Sequence, residues 1–461
     1  MRRCNYRSGA NPAMTFRLER LELQNFRSFS SAELDLEPNL TVLIAENGRG
    51  KSATLDALAI CLSQLLGAAQ SREPTERPQI AASDARSIYA LPPYRNSEFP
   101  VQITAAAKIA DGADTQWHGL LENPNKLATW QIPAGAKAVA SARTRKRGSE
   151  VTLPVFAYYG TNRTQADVTH ARSPAGGWFD RGFGYQNALK AGGSLRELGP
   201  WLALTETQRD DRTSVWDAAL GSVFEAGAQV LRSHGVRRIS YSAGERDLVL
   251  DFGRMSEDLK TGLVEAIDPG SSAIPMRMVA DGYRSILGLV ADLAFRCGVL
   301  NGHLHGEAPL LTPGVVLIDE IDMHLHPSWQ THVLNDLASA FPLVQFIVTT
   351  HSPFILSSIK GECVRQIITD GSGSTFLSPD RLTEGARIDL LSEVLLRTPA
   401  RAEHGQLVRL LSGLSKALMD GESATAEDHV EQLEQLSLPL QDPDALRLIA
   451  EFKWRRQQGK I

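Results

Sequence analysis

The segment Ala45-Glu46-Asn47-Gly48-Arg49-Gly50-Lys51-Ser52 constrains this chain more than any other. It follows an apolar run, Leu40-Thr41-Val42-Leu43-Ile44, that reads as a buried strand. It precedes Leu55, Leu58, Ala59, Leu62, Leu65 and Leu66, which recur at helical spacing. A glycine-rich turn between strand and helix is the setting in which the pattern G-x-x-x-x-G-K-S/T cradles phosphate. Gly48 and Gly50 let backbone N–H groups turn inward, Asn47, Arg49 and Ala53 complete the loop, and the helix N-terminus adds partial positive charge. Lys51 then reaches the β- and γ-phosphates, and the Ser52 hydroxyl can hold Mg²⁺. Ala45 stands where the pattern begins with glycine. A chance match in a glycine-rich chain is the alternative, and the flanking strand and helix weigh against it. The expected ligand is a nucleoside triphosphate.

A second apolar run, Gly314-Val315-Val316-Leu317-Ile318, ends in Asp319 and Glu320. A carboxylate at the end of a core strand beside such a loop suits the coordination sphere of Mg²⁺, which gives Asp319 a metal role. Glu320 points differently and can polarise a water for attack on the γ-phosphate. A third run, Val344-Gln345-Phe346-Ile347-Val348-Thr349-Thr350, ends in His351. Alone, His351 reads as a packed or surface histidine. With the other two strands, it is expected on the same rim of a parallel sheet. Val279-Ala280-Asp281-Gly282-Tyr283-Arg284-Ser285 opens an amphipathic helix carrying Ile286, Leu289, Val290, Leu293 and Ala294. In isolation this is a simple turn; just ahead of the Asp319 strand it reads as a second anion-facing helix start.

In this order, the glycine loop, the D-G-x-R turn, the D-E pair and the T-H-S-P strand end resemble an ABC-type ATPase of the SMC/RecF/OLD branch. The opening Leu21-Glu22-Leu23-Gln24-Asn25-Phe26-Arg27-Ser28-Phe29 is similar to that branch's first strand and arginine turn. Three stretches, Asp319-Glu320-Ile321-Asp322-Met323-His324-Leu325-His326-Pro327, Tyr158-Tyr159-Gly160-Thr161-Asn162-Arg163 and Ala280-Asp281-Gly282-Tyr283-Arg284, resemble the PtuA-like ATPases of Septu and retron anti-phage systems.

The resemblance implies an α/β P-loop NTPase with an ABC-type mixed sheet flanked by helices, an inserted helical lobe and a C-terminal helical tail. It implies ATP and Mg²⁺ as ligands. It also implies a homodimer or higher oligomer of heads, in which Asp281, Gly282 and Arg284 of one copy act on Lys51, Ser52, Asp319, Glu320 and His351 of the other. Arg27 joins the nucleotide-binding set, and Asp322 lies in the loop that passes between the two sites. The chain departs from the pattern at Ala280, where serine is usual, and at Val279, where leucine is usual. Losing that hydroxyl removes one γ-phosphate hydrogen bond, so slow turnover or loose closure is expected. Gln79 and Asp84 are the candidates for the glutamine loop.

The net charge of −5 offers no general attraction to nucleic acid. Four cysteines (Cys4, Cys61, Cys297 and Cys363) form no C-x-x-C pair and fit buried thiols in a reducing compartment. No apolar run of about 18 residues exists, so no membrane span and a cytoplasmic location are expected. Length alone would suggest about three domains, but this type of site draws on widely separated segments. The motifs divide the chain into a leader at 1–13, expected to be disordered, and an N-terminal ATPase half at 14–112. A middle lobe at 113–273, a C-terminal ATPase half at 274–380 and a helical region at 381–461 follow. The run Arg143, Arg145, Lys146, Arg147 is a solvated hairpin tip or a phosphate-backbone contact. His303 with His305, and His324 with His326, lack the further ligands that zinc needs. No long heptad arm and no C-x-x-C hook occur, which excludes a long-armed architecture.

OLD-type nucleases carry a Toprim domain in the tail, and here no strand-end glutamate is followed by a D-x-D pair. Cutting is therefore expected from a partner, which the resemblance to Septu and retron systems implies is a nuclease of HNH type, with the helical tail ending in Lys453-Trp454-Arg455-Arg456 as a docking surface or a merely solvated helix. Three functions follow: a defence ATPase whose dimer controls that nuclease, a RecF/SMC-like repair ATPase that binds DNA directly, and an ATP-binding scaffold with little turnover. A transporter motor fits least.

Overall fold

The computed structural model describes residues 16–67, 78–89, 95–109, 113–133, 151–161, 181–191, 213–242, 247–252, 273–370, 373–379, 383–397, 406–435 and 442–459. The leader at 1–13, Cys4, the basic run at 143–147 and Asn162-Arg163 lie outside them. The chain divides into two units, 1–386 and 387–461.

In the first unit the chain runs β1 (Phe16–Phe26), β2 (Phe29–Asp35), β3 (Leu40–Ile44), α1 (Lys51–Gly67), β4 (Ser87–Tyr89), β5 (Arg95–Ser97), β6 (Val101–Ile109), β7 (Ala113–Leu121), β8 (Thr129–Gln131) and β9 (Val155–Tyr159). The middle segment supplies α2 (Thr213–Val230), β10 (Arg238–Ser242), β11 (Asp247–Asp251) and β12 (Ala273–Pro275). Then come α3 (Asp281–Leu300), α4 (Ala308–Leu311), β13 (Gly314–Ile318), α5 (Pro327–Gln330), α6 (Val333–Ala340), β14 (Val344–Thr349), α7 (Pro353–Ser357), β15 (Val364–Asp370) and β16 (Gly373–Leu377).

A six-stranded mixed sheet has the order β16-β15-β3-β14-β13-β9. Its β15, β3, β14, β13 and β9 are parallel, and β16 runs antiparallel at the edge. β9, β13 and β14 are buried at every position and β3 at all but its first, which explains their unbroken apolar sequences. Parallel pairing brings the carboxyl ends of β3, β13 and β14 to one rim, where their connections emerge.

A second, antiparallel sheet has the order β2-β1-β6-β7-β8. β1 alternates buried and exposed residues along much of its length, as a half-covered strand does. α1 packs against β6 and β7 of this sheet and against β13 and β14 of the other. That position between two sheets is why the helix is apolar on nearly every side. The buried Gln345 side chain joins the layers: its amide nitrogen donates to the carbonyls of Leu18 and Glu37 at 2.8 Å each, and its oxygen accepts from the Leu18 N–H at 2.9 Å. The middle lobe is mixed rather than only helical, with a three-stranded antiparallel sheet, β10-β11-β12, beside α2.

α3 is locked to the main sheet by a charge pair with no solvent access. Arg296 Nε donates to Asp292 Oδ2 at 2.7 Å, with the two side chains 1% and 0% exposed. Tyr159 of β9 donates to the same carboxylate at 2.8 Å, and Arg296 reaches the Gly184 and Gln186 carbonyls. Removing one partner strands the other charge, so Asp292→Ala is expected to destabilise the fold by about 3–5 kcal/mol. Chemical denaturation checks this; a loss under about 1 kcal/mol would mean that the pair is not buried as described.

The second unit holds α8 (Ile388–Val394), α9 (Gln406–Asp420), α10 (Ser423–Gln435) and α11 (Pro443–Gln457). Leu414, Leu418, Ala426, Leu433, Ala445 and Phe452 are among its core residues. Asp442 caps α11 by accepting from the Asp444 and Ala445 N–H groups at 3.0 Å, and Pro443 opens the helix.

Candidate functional site

The glycine loop lies between β3 and α1, with Gly48 at φ 75° and Gly50 at φ 110°. Gly50 is obligatory on two counts: its φ is left-handed, and an added Cβ would lie 2.6 Å from Ser28 Oγ and 2.8 Å from the Phe29 ring. Around Gly48 nothing lies within 4 Å of such a Cβ, leaving that side of the loop open. Thr54 ties the loop to the first helical turn, its hydroxyl donating to the Gly50 carbonyl at 2.9 Å. The Lys51 ammonium is 7% exposed and donates to the Ala45 and Glu46 carbonyls at 3.0 and 3.3 Å. Burial lowers its pKa, opposed by the charges of Asp319, Glu320 and Asp322. Arg49 pairs with Glu46 at the exposed lip of the loop.

Ser52 Oγ donates to Asp319 Oδ2 at 2.7 Å although 267 residues separate them. The other carboxylate oxygen of Asp319 accepts from Thr349 Oγ1 at 2.6 Å. Thr349 in turn accepts from the Glu320 N–H at 2.8 Å, holding Glu320 at φ 47°, a conformation a non-glycine residue rarely adopts. Asp322 Oδ1 accepts from Thr350 Oγ1 at 2.6 Å and from the His351 N–H at 3.4 Å. His351 Nε2 is buried without a hydrogen-bond partner. Burial first, and the Lys51 charge second, push the His351 pKa down, which keeps its ring neutral near pH 7.

Ser52, Asp319, Glu320 and His351 thus meet at the ends of β3, β13 and β14. The donor set fits a triphosphate with Mg²⁺: a loop open at Gly48, one hydroxyl beside one carboxylate, and an orphan imidazole nitrogen. Among the described residues no group of three or more His, Cys, Asp or Glu side chains gathers as a metal site. A divalent ion here would be held by Ser52 and Asp319, and by the phosphates themselves.

Arg27 has another setting. At φ 50° it turns between β1 and β2 and pairs with Asp56 at 2.5 Å and Asp84 at 2.9 Å. Tyr158 also donates to Asp56, at 3.0 Å. Asp84 is buried with its carboxylate on Arg27 and on the Ala81 N–H, whereas Gln79 is exposed. The D-G-x-R turn starts α3. Ala280 is its cap residue and supplies no side-chain hydrogen bond, while the exposed Asp281 and Arg284 pair with each other. Gly282 lies against the segment after Asp322, where an added Cβ would sit 2.8 Å from the His324 carbonyl oxygen. Of the histidine pairs, His326 caps α5 through Nδ1 and His303 lies 3.4 Å from Thr152 Oγ1.

Sequence reasoning gave no role of their own to Thr349, Thr350, Asp56, Tyr158 and Gln330. The two threonines carried a usable signal, hydroxyls at the end of a buried strand next to a histidine.

His234, stacked on Trp329, is pushed down to about 4, by burial first and the His332 ring second. An unfolded histidine titrates near 6.5, so between about pH 6.5 and 4 the unfolded chain binds a proton that the folded chain refuses. Stability from this group is therefore complete above that window and lost as pH falls through it. Denaturation midpoints near pH 7 and pH 5 should differ less for His234→Phe than for the wild type; equal differences would contradict this placement.

A family model described as "AAA domain, putative AbiEii toxin, Type IV TA system" matches residues 200–357, and a second, "AAA domain", matches 20–89. The Retron Ec83 probable ATPase of Escherichia coli is 27% identical over 462 residues, covering 89% of this chain and 82% of that protein. The Septu protein PtuA of Bacillus thuringiensis is 44% identical over 130 residues, 26% of this chain and 31% of that protein. Among solved structures, an SMC head bound to the C-terminal winged-helix domain of ScpA overlaps 79% of this chain and 98% of its own, with 15% identity and TM-score 0.47. The chain has a P-loop fold, with a mixed sheet flanked by helices, and resembles the ATPases of retron and Septu systems. No helix among the described residues is long and apolar enough to cross a membrane.

Proposed function

We propose that this chain is an ATPase of anti-phage defence whose nucleotide-driven pairing controls a partner nuclease. The observation that carries the ATPase part is the Ser52–Asp319 hydrogen bond of 2.7 Å, with Glu320 and His351 gathered beside it. Gly48, Gly50, Lys51 and the first turn of α1 hold the phosphates. Asn47, Arg49 and Ala53 line the loop. Mg²⁺, held by Ser52 and Asp319, would neutralise charge on the β- and γ-phosphates. Glu320 takes the proton of the attacking water, and neutral His351 donates a hydrogen bond to the γ-phosphate. Asp281, Gly282 and Arg284 complete the pocket of a second copy. Arg27 acts from beneath the loop through Asp56 on α1. Retron and Septu relatives support the defence role. DNA cutting is assigned to an HNH-type partner, and nucleic acid enters as its target.

The defence role is tested in cells carrying the chain together with its neighbouring genes. Lys51→Ala should abolish protection against phage; protection that survives would contradict nucleotide control.

One observation favours a second reading, a scaffold with slow turnover: Ala280 leaves α3 without a side-chain cap. Ala280→Ser should raise turnover if the missing hydroxyl limits it.

A further inference from the structure

Trp329 belongs to no nucleotide motif, yet it is the point at which three distant segments lock together. Its ring stacks on His234 with centroids 3.8 Å apart and meets Tyr283 edge-on at 4.2 Å and 84°. The Tyr283 hydroxyl donates to the His234 carbonyl at 3.2 Å, and its ring packs edge-on against Phe252. Tyr283 directly follows Gly282, whose Cα faces the His324 carbonyl too closely to admit a side chain. Tyr283 is buried, while its neighbours Asp281 and Arg284 on the same turn are exposed. The aromatic contacts therefore anchor the underside of the turn whose outer side carries the charged groups.

The same short segment is tied at its other end to the nucleotide rim. Gln330 donates to the Leu325 carbonyl at 2.8 Å and accepts from Ser352 Oγ at 2.5 Å. Asp322 holds Thr350 and the His351 N–H. From His351 to Gly282, the path runs through side-chain hydrogen bonds, one short helix and one aromatic stack. Stacked and edge-on aromatic pairs stabilise beyond their burial alone, which favours one geometry of the turn.

We propose that Trp329 is a positioning residue for the 281–284 turn, and that the segment Asp322–Gln330 carries the state of a chain's own pocket to the turn it presents to a second copy, resting on the trans role proposed for that turn. Trp329→Ala is expected to lower ATP turnover on the order of tenfold to a hundredfold while the affinity for a fluorescent ATP analogue is unchanged, since the loss lies in alignment and not in the phosphate loop. Trp329→Phe keeps a stacking ring and should restore turnover.

Mixing whole chains separates positioning from general damage. A Glu320→Gln chain loads ATP without hydrolysing it and keeps an intact turn, so it should rescue the intact pocket of a Trp329→Ala chain, giving turnover above the sum of the two alone. Arg284→Ala mixed with Glu320→Gln is the control for trans action. No recovery in that control overturns the trans role and this proposal with it. Recovery there, but not with Trp329→Ala, overturns only the role of Trp329, as does wild-type turnover by Trp329→Ala. If Trp329→Ala fails to fold, Tyr283→Leu removes the facing ring and goes through the same mixtures with the same outcomes.

Discussion

Glu320→Gln should lower ATP hydrolysis on the order of a hundredfold or more and leave ATP binding intact. The carboxamide keeps the shape and most of the polarity of the side chain but cannot accept the water's proton. Its backbone supports this assignment. Glu320 sits at φ 47°, held there by the Thr349 hydroxyl that also holds Asp319. Such a conformation costs about 1–3 kcal/mol and persists where the surroundings impose it. Asp319 and Glu320 are adjacent, so the left-handed residue separates their directions and their tasks. Single-turnover hydrolysis with saturating ATP is the measurement. Equal rates for variant and wild type would remove Glu320 from the chemistry, and negligible rates for both would favour the scaffold.

Lys51→Ala should weaken ATP binding by about two orders of magnitude or more, since each hydrogen bond to a charged group contributes about 1.5–3 kcal/mol and Lys51 is expected to reach two phosphates. The side chain is already gathered into the loop, on the Ala45 and Glu46 carbonyls. Phosphate oxygens would take over from those neutral acceptors. The fold should tolerate the change, because alanine suits the first turn of α1. Calorimetric titration with ATP and Mg²⁺ reads the effect; affinity within threefold of wild type would undo the cradle assignment.

The ends of the site were legible in the sequence because each is a local pattern with its own chemistry. Glycines before Lys51 mark a loop that needs left-handed φ, and apolar runs before Asp319 and His351 mark buried parallel strands. The connections between those ends were not legible. Nothing near Arg27 announces Asp56 and Asp84, which lie 29 and 57 residues away and are brought in by α1 and a short turn. Likewise, the buried Asp292–Arg296 pair looks in sequence like any exposed i,i+4 charge pair on a helix; only the packing of β9 and the Gly184 carbonyl shows otherwise. The β10-β11-β12 sheet escaped notice because its strands are short, and the last of them, with only three residues, stands apart from the other two.

The most direct test of the central claim is the mass of the Glu320→Gln chain in solution with ATP and Mg²⁺, measured by sedimentation. Two heads closing on trapped nucleotide should sediment at twice the chain mass, and Arg284→Ala added to the same chain should reduce that pairing. A Glu320→Gln chain that binds ATP and Mg²⁺ yet stays at the single-chain mass of 50.3 kDa would contradict it.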